Sequence, residues 1–246
     1  MGKALIIAKK DIKEALHGKS TYLYVILLCL LTLPYFDGLR NILGNLSKQG
    51  VVSAEMRFAG QSFVNIVACT LPLVLTMLIC GVFSAYSIIM DKAKRTIESL
   101  LATPLSLRQI WLGKSLAVTL PSITIALLVS FLALIAMNLT IIVPTIGNFI
   151  LPSAVSLVTA LVLVPLMTFF VVEIVSFLQL TTANPRIANF AFTGIFLGIF
   201  MSTITEVTAS WDFRLIYLAA SLLLAAVTLF LARFLTKERV ILSSKG

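Results

Sequence analysis

Charge is scarce in this chain. Asp, Glu, Lys and Arg make up 12% of its 246 residues, where a water-soluble domain carries about a quarter. Set against 59% hydrophobic residues and a mean hydropathy of +1.06, that scarcity excludes a soluble globule, which could not hide so much apolar surface. Histidine is nearly absent: the single one, His17, has no Glu or Cys at ligand spacing, so zinc hydrolysis has no basis. Cysteines are few, and Cys29, Cys69 and Cys80 fall inside or beside apolar runs. They read as buried small hydrophobes, neither a disulfide framework nor a metal cluster. A polytopic membrane enzyme would need a clustered acid, base or nucleophile, and none stands out. A phosphate-binding loop is missing as well. Gly113-Lys114-Ser115 matches the end of one, but Arg108 occupies the position of its first glycine, no strand precedes it and an apolar run follows. Nothing in the chain itself is expected to bind ATP.

What is abundant is uninterrupted apolar sequence, in runs from Thr21 to Phe36, Phe63 to Met90, Ser115 to Met137, Ile150 to Leu178, Ile187 to Ile204 and Phe213 to Leu235. Each is close to or above the roughly 17 to 25 residues that cross a hydrocarbon core as a helix. The fold expected is an all-α membrane protein of six transmembrane helices. The first run is no cleavable signal: a charged helix precedes it and Pro34, Tyr35, Phe36 and Asp37 follow, without a small-residue cleavage pattern. In that preceding stretch, within residues 1–20, Leu5, Ala8, Ile12, Ala15 and Leu16 share one helical face and Lys9, Lys10, Asp11, Lys13 and Glu14 spread over the rest. Such a helix lies along the membrane surface, the alternative being a solvated lead-in.

The net charge of +9 is explained by topology. Fifteen of the 19 basic residues lie before the first run, between the second and third, before the fifth, or after the sixth; only Arg40, Lys48, Arg57 and Arg214 lie in the alternate loops. The positive-inside bias therefore puts both termini in the cytoplasm. No basic stripe with interleaved aromatics points to nucleic acid.

Residues Asp37 to Ser62 read as the longest outward loop, with Gly38, Gly44, Gly50 and Gly60 as breakers. Asn45-Leu46-Ser47 and Asn138-Leu139-Thr140 match the glycosylation sequon on that outer side. Asn184-Pro185 signals a helix start. Gly194 and Gly198, four apart, share a face that admits another helix closely, either within the chain or from a second copy. Glu173 is the one acidic residue deep in an apolar run. It has two readings: a structural one, reaching interfacial water or pairing with Arg186, and a role in substrate or ion passage.

The most informative stretch is Asp91 to Ser115, DKAKRTIESLLATPLSLRQIWLGKS. Lys92 to Ala102 has good helix formers with Ile97, Leu100 and Leu101 on one side, and stops at Thr103-Pro104 because the residue before a proline disfavours the helical conformation. Ser106 and Gln109 then form a capping box, flanked by Leu105 and Ile110 as a hydrophobic staple. A short helix, a sharp break and a new helix entering the membrane are predicted.

This segment resembles the cytoplasmic region of ABC-2 type transporter permeases: Thr96-Ile97-Glu98, Leu100-Leu101, Thr103-Pro104 and Leu112-Gly113-Lys114 follow the family's order and spacing, while Arg95 stands where many members have glycine. The surface helix, the six spans and the length agree over essentially the whole chain, read as one permease domain, 1–246. The resemblance implies that residues 91–106 form a coupling segment docking on a separate ATP-hydrolysing subunit, with Arg95, Thr96, Glu98, Leu100 and Leu101 facing that partner. It also implies ATP and Mg on the partner, and pairing with a second permease chain as homodimer or heterodimer. The function expected is the membrane-spanning permease of an ATP-binding-cassette exporter in a plasma membrane of prokaryotic type. The alternative is an ion-gradient-driven secondary transporter or channel in which Glu173 titrates.

Overall fold

Backbone N–H and C=O groups in hydrocarbon find no water, and a helix satisfies them within its own segment. In the computed structural model the described residues are 8–14, 26–48, 53–84, 87, 91, 105–182, 194, 198 and 213–234, and every regular element among them is helical. They form α1 (residues 8–14), α2 (Ile26–Lys48), α3 (Ser53–Ser84), α4 (Leu107–Ile146), α5 (Ala154–Thr181) and α6 (Phe213–Leu231). Four of these, α2 to α5, are long and apolar enough to cross a membrane, and α6 carries a shorter apolar helix, Tyr217–Leu231. The expected fifth span, 187–204, lies outside the described residues except for Gly194 and Gly198, both helical.

The outward loop expected over Asp37 to Ser62 is instead mostly helix. In α2 the chain tightens at Leu31-Thr32, where Thr32 Oγ1 donates to the Cys29 carbonyl at 2.7 Å. It then runs helically from Leu33 to Lys48, burying Leu39 and Leu43 and exposing Arg40, Asn45 and Lys48. α3 begins already at Ser53, leaving residues 49–52 between the two helices. A glycine costs about 1 kcal/mol inside a helix, which close packing offsets. A Cβ on Gly60 would stand 3.1 Å from Ile150 Cδ1 and 3.2 Å from Ile146 Cδ1, and one on Gly38 would meet the Phe63 ring at 3.5 Å. These two glycines are contact points rather than breaks.

α3 is the central helix: 67% of its most apolar stretch is buried, against 44% for α4 and α5 and 22% for α2. One core cluster joins α2, α3 and α4 around Leu39, Val67, Leu71 and Met137. A second joins α3, α5 and α6 around Met77, Met167, Val171 and Tyr217. The outer faces carry exposed leucines, among them Leu128, Leu132, Leu161, Leu222 and Leu223, as lipid-facing helices do.

α4 begins at the predicted Ser106 cap and runs on past the end of its apolar stretch at Met137, to Ile146. Its 40 residues measure roughly 60 Å at 1.5 Å per residue, about twice a hydrocarbon core. It passes through a π-helical turn at Asn138–Ile142 and stops where Gly147 takes φ 83°. A second π-turn, Thr159–Leu163, lies in α5. Each is followed by Val-Pro, Val143-Pro144 and Val164-Pro165. The wider turn makes room for a proline ring that would clash with the carbonyl four residues back.

Asn138 is 1% exposed; its amide donates to Leu134 O at 3.0 Å and its Oδ1 accepts from Ile150 N at 2.8 Å. Its sequon is thus a helix-to-loop brace and not a surface acceptor. Cys29 corrects a second expectation: Cys69 and Cys80 are buried, but Cys29 is exposed.

Candidate functional site at the start of α4

The capping box forms as expected. Ser106 Oγ accepts from Gln109 N at 3.3 Å and Gln109 Oε1 accepts from Ser106 N at 3.1 Å. That start fixes the rotation of α4, so that Ile110, Trp111 and Lys114 turn inward and are 3%, 4% and 2% exposed. Trp111 locks α4 to α5: its indole N–H donates to the Glu173 carbonyl at 2.9 Å and its ring meets Phe177 edge-on at 6.2 Å.

One turn further, Lys114 places a full charge in this buried setting. An ammonium removed from water must find both countercharge and hydrogen-bond acceptors. Its Nζ donates to Asp11 Oδ2 at 2.6 Å, to the Ser87 carbonyl at 2.8 Å and to Asp91 Oδ2. All three ammonium donors are used. Ser87 Oγ in turn donates to Asp11 Oδ2 at 2.9 Å. The cluster thus ties α1 to the chain following α3 and to α4. Asp91 and Lys114, 23 residues apart, stand on either side of the segment 92–104. Nearby, Ser84 Oγ donates to Gln179 Oε1 at 2.8 Å. Ser115 Oγ and Ser176 Oγ are buried without a hydrogen-bond partner among the described residues.

The residues assigned to partner docking, Arg95, Thr96, Glu98, Leu100 and Leu101, lie outside the described residues, as do Arg186 and Asn184-Pro185. Glu173 sits in α5, 5% exposed. It lines a cavity of about 210 Å³ at the junction of α4, α5 and α6, shared with Arg108, Trp111 and Thr228. Gly194 and Gly198 are both exposed, and among the described residues nothing lies within 4 Å of where a Cβ on either would stand. The Lys114 cluster was not foreseen from the sequence, where Lys114 counted only toward topology and the Leu-Gly-Lys match. Its one local signal is a lysine on the same helical face as Ile110 and Trp111.

Long apolar helices with leucine-rich outer faces, and charge drawn together at one end of the bundle, define an integral membrane protein. The chain belongs to the ABC-2 family of transporter proteins, whose family model, described as ABC-2 family transporter protein, matches residues 5–214. That family is a membrane component of ATP-binding-cassette transport, as the resemblance at Thr96 to Lys114 implies. A comparison with curated proteins gives no match.

Proposed function

We propose that this chain is the membrane-spanning permease of an ATP-binding-cassette exporter in a prokaryotic plasma membrane, with six spans and both termini cytoplasmic. Residues 1–20 form a helix along the inner surface and 91–106 form the coupling segment. Arg95, Thr96, Glu98, Leu100 and Leu101 dock on a separate ATPase subunit, which holds the ATP and Mg. A second permease chain completes the path, and Gly194 and Gly198, each helical and exposed, supply a close contact for it.

The observation that carries the reading is Lys114. One buried ammonium joins the surface helix, through Asp11, to both flanks of the coupling segment, through Asp91 and its own helix. A push on residues 92–104 would reach α4 and the surface helix together, because breaking a buried ion pair costs about 3 to 5 kcal/mol. The test is co-expression and reconstitution with a candidate ATP-binding-cassette ATPase subunit from the same genome. Glu98→Ala and Leu101→Ala should lower transport-coupled ATP hydrolysis several-fold while membrane insertion is intact; unchanged coupling in both removes the docking assignment. Failure of the wild-type chain to co-purify with that ATPase counts against the whole reading.

A second reading, a transporter driven by an ion gradient, is favoured by the buried Glu173 carboxyl group beside a cavity. It requires transport that an ionophore abolishes and ATP depletion spares.

A further inference from the structure

The three-helix junction that holds Glu173 has the chemistry of a binding site. Arg108 and Trp111 come from α4, Phe170 and Glu173 from α5, and Thr228 and Leu229 from α6. Glu173 is 5% exposed, and among the described residues its carboxylate has no hydrogen-bond or ion-pair partner; only its backbone carbonyl is engaged, by Trp111. Arg108, exposed at the mouth, makes no salt bridge with it. A carboxylate ionised alone in such surroundings is unfavourable, and an incoming cation offsets that penalty.

The rest of the wall points the same way. The Trp111 N–H is spent on Glu173 O, and the Thr228 hydroxyl donates to Ala225 O at 2.8 Å, leaving its lone pairs free to accept. The deep part of the cavity therefore offers acceptors and calls for a ligand rich in N–H donors. Two aromatic rings in the same wall favour a cation. The volume, about 210 Å³, is below the roughly 300 to 1,000 Å³ of pockets that enclose a drug-sized molecule, so a head group fits and a tail does not. Leu112 and Leu229, both exposed at the cavity, continue it onto the apolar flank of the bundle, where a tail would lie.

We propose that this junction binds the primary ammonium head of an amphiphile, with the ammonium on the Glu173 carboxylate and the tail along Leu112 and Leu229. The site stands independently of coupling to an ATPase. A free alkylamine and an amine-bearing phospholipid share this chemistry; in the lipid, the phosphate next to the ammonium would meet Arg108.

The test uses the full chain in nanodiscs with Trp211→Phe, which leaves Trp111 in the cavity wall as the reporter. Dodecylammonium should change its emission saturably, and Glu173→Gln should weaken that binding about tenfold or more. Dodecyl sulfate and dodecanol should give no saturable change. Should Glu173→Gln accumulate poorly, Ala232→Phe, which fills the cavity from the turn after α6, should abolish the response. A second arm measures lipid retention by native mass spectrometry. Retention of phosphatidylethanolamine over phosphatidylglycerol, lost in Glu173→Gln and reduced in Arg108→Gln, identifies a lipid as the source. Binding of dodecylammonium alone identifies a free amphiphile. Equal binding of dodecylammonium to wild type and Glu173→Gln, or equal binding of dodecyl sulfate, overturns the assignment.

Discussion

Lys114 has 2% of its side chain exposed and Asp11 10%, so losing the ammonium takes the countercharge from a carboxylate that water cannot reach freely. Lys114→Met should destabilise the protein by about 3 to 5 kcal/mol, read as a lower unfolding midpoint in detergent. Adding Asp11→Asn and Asp91→Asn should recover much of that loss, because the stranded charge and not the missing contact dominates it. Full additivity of the three changes would show that the cluster is not coupled. Asn138→Leu should cost about 1 to 3 kcal/mol by leaving Ile150 N unpaired, checked by the same midpoint. The two charged positions differ in how far sequence reveals them. Glu173 stands out because an acid in an apolar run is conspicuous by itself. The Lys114 cluster does not, because Asp11 and Lys114 are 103 residues apart and no local period relates them.

At the scale of the helix, the start signal at Ser106 was legible, and Gly38 and Gly60 were misleading. The Ser106 cap is a four-residue pattern whose geometry is local, and it appears as expected. Ser106→Ala should cost about 1 kcal/mol, measured by hydrogen exchange in the first turn of α4. Gly38 and Gly60 instead answer to what packs on them, Phe63 in one case and Ile146 with Ile150 in the other, and a neighbour across the fold leaves no mark in the local sequence. Gly60→Leu should cost about 1 to 3 kcal/mol through overpacking, and an unchanged midpoint would mean that the connector between α4 and α5 gives way freely. The far end of α4 was underestimated for a related reason. Hydropathy marks the part of a helix that suits lipid, whereas capping and the left-handed Gly147 set where the helix begins and ends.

For the molecule as a whole, the apolar runs made the helical membrane fold readable, since length and hydropathy are summed over many residues and survive errors at single ones. Orientation rests on where the basic residues fall. With Cys29, Cys69 and Cys80 replaced, a membrane-impermeant maleimide should label Lys48→Cys in intact cells and Lys9→Cys only after permeabilisation; the reverse pattern would invert the topology. The Lys114 cluster also bears on how the chain is made. Asp11 and Asp91 leave the ribosome before Lys114, so the cation's countercharges already exist when α4 arrives at the membrane. A buried lysine is tolerable only once both have been gathered, and α4 can therefore settle only after α1 and the chain following α3 are in place. The ion pair that fixes the finished structure would also set an order of assembly, with the third long helix acting as a proofreading step for the segments synthesised before it.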